Sequence, residues 1–160
     1  MNSGIYTQDL KFPTLNGRSL EGKEFRIPLD LEGDLNLLLV AFKRSQQISI
    51  NSWSSFIHDL KKTYFFIKSY ELPVLSMGYL IMRFMIDGGM KAGIPYRDVR
   101  EHTITLYLKK SKFMKKLQIE TDDQISLFLI NKVGDILWRT TGSYNEFKGS
   151  NLRAFLKSFY

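Results

Sequence analysis

Apolar positions follow two rhythms along this 160-residue chain. Leu37-Leu38-Leu39-Val40-Ala41-Phe42 is an unbroken apolar run preceded by a turn at Leu31-Glu32-Gly33-Asp34. Such a run predicts a central strand covered on both faces. From about Ser49 the rhythm changes: Ile50, Trp53, Phe56, Ile57, Leu60 and Tyr64 recur at three- and four-residue steps, the stripe of an amphipathic helix. Phe65 to Leu72 predicts a second strand, stopped by Pro73. Residues 76–91 predict a Met-rich helical segment that breaks at Gly88-Gly89 and ends near Gly93-Ile94-Pro95. Thr103 to Leu108 is rich in β-branched residues and predicts a third strand, and Phe113, Leu117 and Ile119 suit a short helix after it. Ile125–Ile130 and Ile136–Arg139 read as two strands joined by the hairpin-length loop 131–135. A last helix, from about Asn145 to Phe159, is expected to bury Phe147, Leu152, Phe155, Leu156 and Phe159. Upstream, residues 12–28 read as a β-hairpin with turn signals at Asn16-Gly17 and Glu21-Gly22-Lys23.

Strands alternating with helices imply an α/β domain of three layers with right-handed crossovers. A terminal β-hairpin closed by a helix is the thioredoxin-like arrangement. The expectation is one domain over residues 1–160, a thioredoxin-like three-layer sandwich with an N-terminal hairpin and a helical insertion between the second and third core strands. In thiol redox enzymes of this layout the reactive cysteines sit in the turn after the first core strand. Here that turn is Lys43-Arg44-Ser45-Gln46-Gln47, and the chain has no cysteine. Serine and lysine cannot replace a thiolate as a redox couple. Thioredoxins also carry a proline before the hairpin, whereas this chain has Asp122-Asp123-Gln124-Ile125-Ser126. The redox site is therefore expected to be missing as a unit.

A longer resemblance runs from Leu72-Pro73 through Gly89-Met90-Lys91-Ala92-Gly93-Ile94-Pro95, Arg100 and Thr103-Ile104-Thr105-Leu106-Tyr107. It continues over Phe113, Leu117, Gly134, Ile136-Leu137-Trp138 and Gly142. In this half of the chain the pattern resembles the ATP-ten family of assembly factors, which help mature the membrane sector of the mitochondrial ATP synthase. The resemblance implies a thioredoxin-like fold acting as an assembly factor or chaperone for a membrane subunit. The chain departs from that family in having no presequence, which points to a bacterial relative or a chain that is not imported.

Composition sharpens the candidate surfaces. The methionines Met77, Met82, Met85 and Met90 alternate with Tyr79, Leu80, Ile81, Phe84 and Ile86. Adaptable thioethers of this kind suit varied apolar partners, against the plainer reading of core packing. Gly88 to Pro95, followed by Arg97 and Arg100, reads either as a helix end and loop or as an anion cradle of backbone N–H groups and guanidinium forks. The partner-binding set expected from these features is Met82, Arg83, Met85, Met90, Gly93, Pro95, Arg97 and Arg100. The net charge is +7, and Lys109, Lys110, Lys112, Lys115 and Lys116 form its densest cluster. That cluster is either a solvated helix face or a patch for anionic lipid headgroups or nucleic acid, with lipid favoured because no surface aromatics suited to base stacking are interleaved.

No cofactor is expected, because His58 and His102 are too few and too far apart for a zinc site. Hydrolase chemistry is disfavoured as well: there is no G-x-S-x-G elbow, and His58 and Asp59 are adjacent in sequence. The N-terminal MNSGIYTQDL lacks signal-peptide character, so a cytoplasmic chain, peripheral at a membrane, is expected. The functional expectation is a redox-inactive binding or assembly protein that is not an enzyme. Its expected partners are a protein client such as a membrane subunit and an anionic membrane surface, with nucleic acid disfavoured. The alternatives are a degenerate peroxiredoxin-like enzyme with non-thiol chemistry and a basic module binding anionic lipid or nucleic acid.

Overall fold

A computed structural model describes residues 10–159. Seven strands form one mixed sheet: β1 (Leu15–Ser19), β2 (Glu24–Ile27), β3 (Leu35–Ala41), β4 (Ile67–Ser76), β5 (Ile104–Leu108), β6 (Ser126–Asn131) and β7 (Ile136–Thr141). Their order across the sheet is β2-β1-β5-β4-β3-β6-β7. The apolar run becomes β3, which pairs parallel with β4 and antiparallel with β6 and is buried at every residue.

The two faces of β3 feed two cores. Leu38 and Val40 join Tyr70, Leu72, Ile104, Leu106, Phe113, Leu117 and Phe128 on one side. Leu37 and Leu39 join Ile50, Trp53, Phe56, Leu60, Trp138, Leu152 and Leu156 on the other. The second core is covered by α1 (Gln47–Ser52), α2 (Ser54–Thr63) and α6 (Glu146–Phe159). Helix α5 (Lys110–Lys116) covers the first through Phe113. The insertion between β4 and β5 comprises a 3-10 turn over Met77–Met82, then α3 (Arg83–Gly93) and α4 (Arg97–Glu101).

Several elements differ from the sequence reading. Asn16-Gly17 lies inside β1, and the hairpin turns instead over residues 20–23, where Gly22 N–H donates to Ser19 O. Gly17 is required by close approach: a Cβ there would lie 2.5 Å from Ile104 Cγ2 and 2.8 Å from Leu106 Cδ2. Strand β4 runs through Pro73 to Ser76. Pro73 sits where the ladder to β3 ends and the continuous ladder to β5 begins, so its missing N–H interrupts little. Helix α3 likewise passes through Gly88-Gly89 and ends at Gly93. The first helix starts at Gln47 and is interrupted at Trp53. Phe147 and Phe159 of α6 are exposed, because Gly149, Leu152, Phe155 and Leu156 form its inward stripe.

Candidate functional site

The corner after β3 is a closed polar unit. Gln46 is buried, and its side-chain oxygen accepts from Phe42 N–H at 2.8 Å and Lys43 N–H at 3.2 Å. Its amide donates to Asp122 O at 2.7 Å, which ties the corner to the segment before β6. Lys43 Nζ lies 2.7 Å from Asp123 Oδ1, and Lys110 Nζ lies 2.7 Å from Asp122 Oδ2. The hydrogen bond from Lys110 holds the Asp122 carboxyl below the usual range, and that from Lys43 does the same for Asp123. Asp123 in turn raises Lys43. Where a thiol enzyme would carry its cysteines, Lys43 and Gln46 are held by partners within the fold, while Arg44 and Ser45 are exposed.

The insertion is built the opposite way. Strand β5 turns Ile104 and Leu106 into one core, so Thr105 and Tyr107 face the other side of the sheet. There Asp87 of α3 accepts hydrogen bonds from Thr105 Oγ1 at 3.1 Å and Tyr107 O–H at 2.8 Å. Arg83 lies over the Tyr107 ring at 5.4 Å, with its Nε 3.7 Å from Asp87 Oδ2. Burial and the Asp87 carboxylate both push the Tyr107 phenol up. Helix α3 thus docks on its charged side. Ile86 and Met90 share that side and are half-buried.

The opposite side faces water and is apolar. Ile81 is 91% exposed, Phe84 82% and Met85 73%. Met77, Tyr79, Leu80 and Met82 are exposed too, and no residue of the 3-10 turn or α3 is fully buried. A helix over a sheet usually shows the reverse arrangement. Contiguous exposed apolar runs are uncommon on soluble surfaces, and this one is the largest departure from the usual inward-facing helix among the described residues.

The other sequence candidates fall into place around this arm. Of the partner-binding set, Met82 and Met85 lie on the exposed side, whereas Arg83 and Met90 lie towards the sheet. Gly93 and Pro95 are exposed at the end of α3. Arg97 donates to Glu101 at 3.0 Å. Arg100 donates to Glu21 and, at 2.8 Å, to Ile94 O, which fastens the bend to the β1–β2 turn. Its guanidinium is thereby engaged within the fold. In the lysine cluster, Lys110 is held by Asp122, while Lys109, Lys112, Lys115 and Lys116 are exposed with no acidic partner among the described residues.

Sequence reasoning missed a cleft of about 290 Å³ between α2, β4 and α4. His58 and Lys61 line it from α2, Ser69 and Glu71 from β4, Asp98 from α4 and His102 from just after it. Burial raises the Glu71 carboxyl, against a hydrogen bond from the Gln47 side chain, and lowers the Lys61 amine. Lys61 Nζ donates to Ser69 Oγ at 3.2 Å. A glutamate within a predicted strand was the one available signal. Among the described residues, no three His, Asp or Glu side chains gather so as to hold a metal ion, and no helix is long and apolar enough to cross a membrane.

Comparison with known proteins places the fold. No family model matches the chain, and no curated protein matches it either. Among solved structures, it is similar to BsSco, a member of the Sco family of cytochrome c oxidase assembly proteins. The TM-score is 0.64 at 13% identity, over 99% of this chain and 96% of that one. Yeast Sco1 with copper bound gives 0.60 at 14% identity, over 94% of each chain. The exposed lipoprotein thioredoxin Etrx1 from Streptococcus pneumoniae gives 0.57 at 14%, over 91% of this chain and 99% of that one. At these identities the likeness shows the fold alone, and the fold is thioredoxin-like.

Proposed function

We propose that this chain is a redox-inactive binding and assembly protein that holds an apolar segment of a partner against the insertion between β4 and β5. The observation that carries this is the reversed amphipathicity of α3 and the turn before it: Asp87 and Arg83 face the sheet while Phe84, Met85 and, in the turn, Ile81 are exposed. Burying each such side chain against a partner yields about 1.5–3 kcal/mol, which is forgone while the surface stays wet. The absence of cysteine removes thiol exchange from its chemistry, and catalysis is no part of the reading. The Sco-family structures are named as cytochrome c oxidase assembly proteins, so the fold has served assembly elsewhere. The resemblance over residues 72–142 favours a membrane subunit as the client, an ATP synthase subunit being the specific case it implies.

Affinity capture from detergent-solubilised membranes tests the reading with the wild-type chain and a Phe84→Glu/Met85→Glu variant. A membrane subunit is expected on the wild-type chain, with affinity reduced by about tenfold or more in the variant. Its thermal unfolding should shift little, since both side chains already face water. Equal retention by the two proteins would overturn the proposal.

A further inference from the structure

Strands β4 and β5 are parallel neighbours, and their ladder ends with Ser76 opposite Leu108. The next residues, Met77 and Lys109, therefore leave the same edge of the sheet side by side, at the spacing of adjacent strands, about 4.8 Å. Met77 opens the apolar 3-10 turn, and Lys109 leads into α5. The two features that looked separate along the chain share one end of the molecule.

Their chemistry is complementary in one particular way. From Met77 to Ile86 the only charged residue is Arg83, and it is drawn back towards Asp87 and the Tyr107 ring. The tip of the insertion thus presents Tyr79, Leu80, Ile81, Phe84 and Met85 with no outward charge. At the same end of the sheet, on the face opposite α3, Lys109, Lys112, Lys115 and Lys116 are exposed and lack acidic partners among the described residues. The cations on the insertion itself are neutralised, by contrast: Lys91 and Arg100 by Glu21, and Arg97 by Glu101.

We infer that this edge seats on an anionic lipid bilayer, the apolar tip entering the acyl boundary while the free lysines of α5 rest among the headgroups. This deepens, and rests on, the reading of the insertion as the interaction surface. Apolar insertion and basic attraction together give stable attachment where either alone is weak. The lysine stems suit such a boundary, since their methylenes cover apolar surface while the ammonium stays wet. A second copy of the chain is a poorer occupant. The edge a second copy would present carries the same free lysines, and its Asp122 and Asp123 carboxylates are already engaged by Lys110 and Lys43.

Co-sedimentation with vesicles tests the inference, using phosphatidylcholine alone and phosphatidylcholine with phosphatidylserine as about a third of the lipid. The wild-type chain should bind the phosphatidylserine vesicles, and binding should weaken as salt is raised. Each lysine near such a surface contributes about fivefold, so Lys112→Glu/Lys116→Glu should weaken vesicle binding by about 25-fold or more. That variant should leave client capture unchanged. Ile81→Glu should weaken vesicle binding as well, with its circular dichroism unaltered. Absence of binding by the wild-type chain, or equal binding by the lysine variant, overturns the inference. So does an Ile81→Glu effect that appears only as loss of a dimer in sedimentation velocity. If vesicle binding fails while client capture persists, the membrane contact falls and the assembly reading stands. If capture fails while vesicle binding persists, the client reading alone falls.

Discussion

Two neighbouring parallel strands of the same sheet end in opposite ways. Strand β3 leads into the corner at residues 43–47, where Gln46 is buried and bonded to Phe42, Lys43 and Asp122, and where Lys43 and Lys110 meet Asp123 and Asp122. Strand β4 leads into an apolar turn and a helix whose large side chains face water. In the first region the buried amide of Gln46 and the Lys43 and Lys110 ammonium groups are matched internally, while Arg44 and Ser45 stand out into water. In the second, the polar groups of α3 are spent on docking and the apolar ones are left over. The difference teaches which polar groups the fold satisfies internally and which apolar groups it leaves to water. The cysteine-free corner is tied down by hydrogen bonds within the fold, and the insertion carries the exposed apolar surface.

The comparison can be broken most sharply at the corner. Gln46→Ala leaves the Phe42 and Lys43 N–H groups and the Asp122 carbonyl without their partner. Each unsatisfied buried group costs about 1–3 kcal/mol, so urea unfolding should show a loss at or above that figure. A loss well under this would mean that the corner is not tied down by these bonds. Next comes the anchor of α3. Asp87→Ala removes the acceptor for Thr105 and Tyr107. Because Gly88 and Gly89 already weaken α3, each by about 1 kcal/mol relative to alanine, the helix should loosen locally. Hydrogen exchange over residues 83–93 is expected to accelerate strongly while global stability falls by only about 1 kcal/mol. Uniform acceleration across the sheet would contradict a separately docked helix.

The smallest effect concerns pH. The folded Glu71 carboxyl is raised above its ordinary value of 4.5 by burial, so the folded state binds its proton more tightly than the unfolded one. Stability is therefore lost as pH climbs from that ordinary value through the raised one. Asp122 and Asp123 act in the other sense, being lowered, and their contribution disappears as pH falls through their folded values. Glu71→Gln should consequently raise the melting temperature at neutral pH and have no such effect below the ordinary glutamate range. An equal gain at both pH values would show that titration of Glu71 is not the cause.

Much of this architecture was readable along the chain. The unbroken run at 37–42 predicted a strand covered twice, and the stripe from Ile50 to Leu60 does lie buried against the sheet, shared between α1 and α2. Local signals misled where distant chain intervened. Asn16-Gly17 has the composition of a turn, yet Gly17 is there because β5 passes too close for a side chain. Pro73 has the composition of a stop, yet it falls at a change of ladder partner. Phe147 and Phe159 matched the helical period, but the inward arc of α6 was already filled. The cleft at Glu71 had no local signal beyond one acidic residue in a strand, since its walls come from three elements far apart in sequence.

The sequence by itself determined the order of strands and helices, the two-sided burial of β3 and the exclusion of thiol chemistry, because each follows from residue type and short-range period. Only the tertiary structure decided which side of the insertion meets water. The apolar content of residues 77–90 is the same whether the helix buries or exposes it. The outcome rests on Asp87 finding Thr105 and Tyr107, 18 and 20 residues away. The closure of the neighbouring corner likewise rests on a distant partner, Gln46 reaching Asp122, 76 residues away. Periodicity reports the stereochemistry of a segment. Which polar groups will be desolvated together is settled only when the sheet brings them into contact.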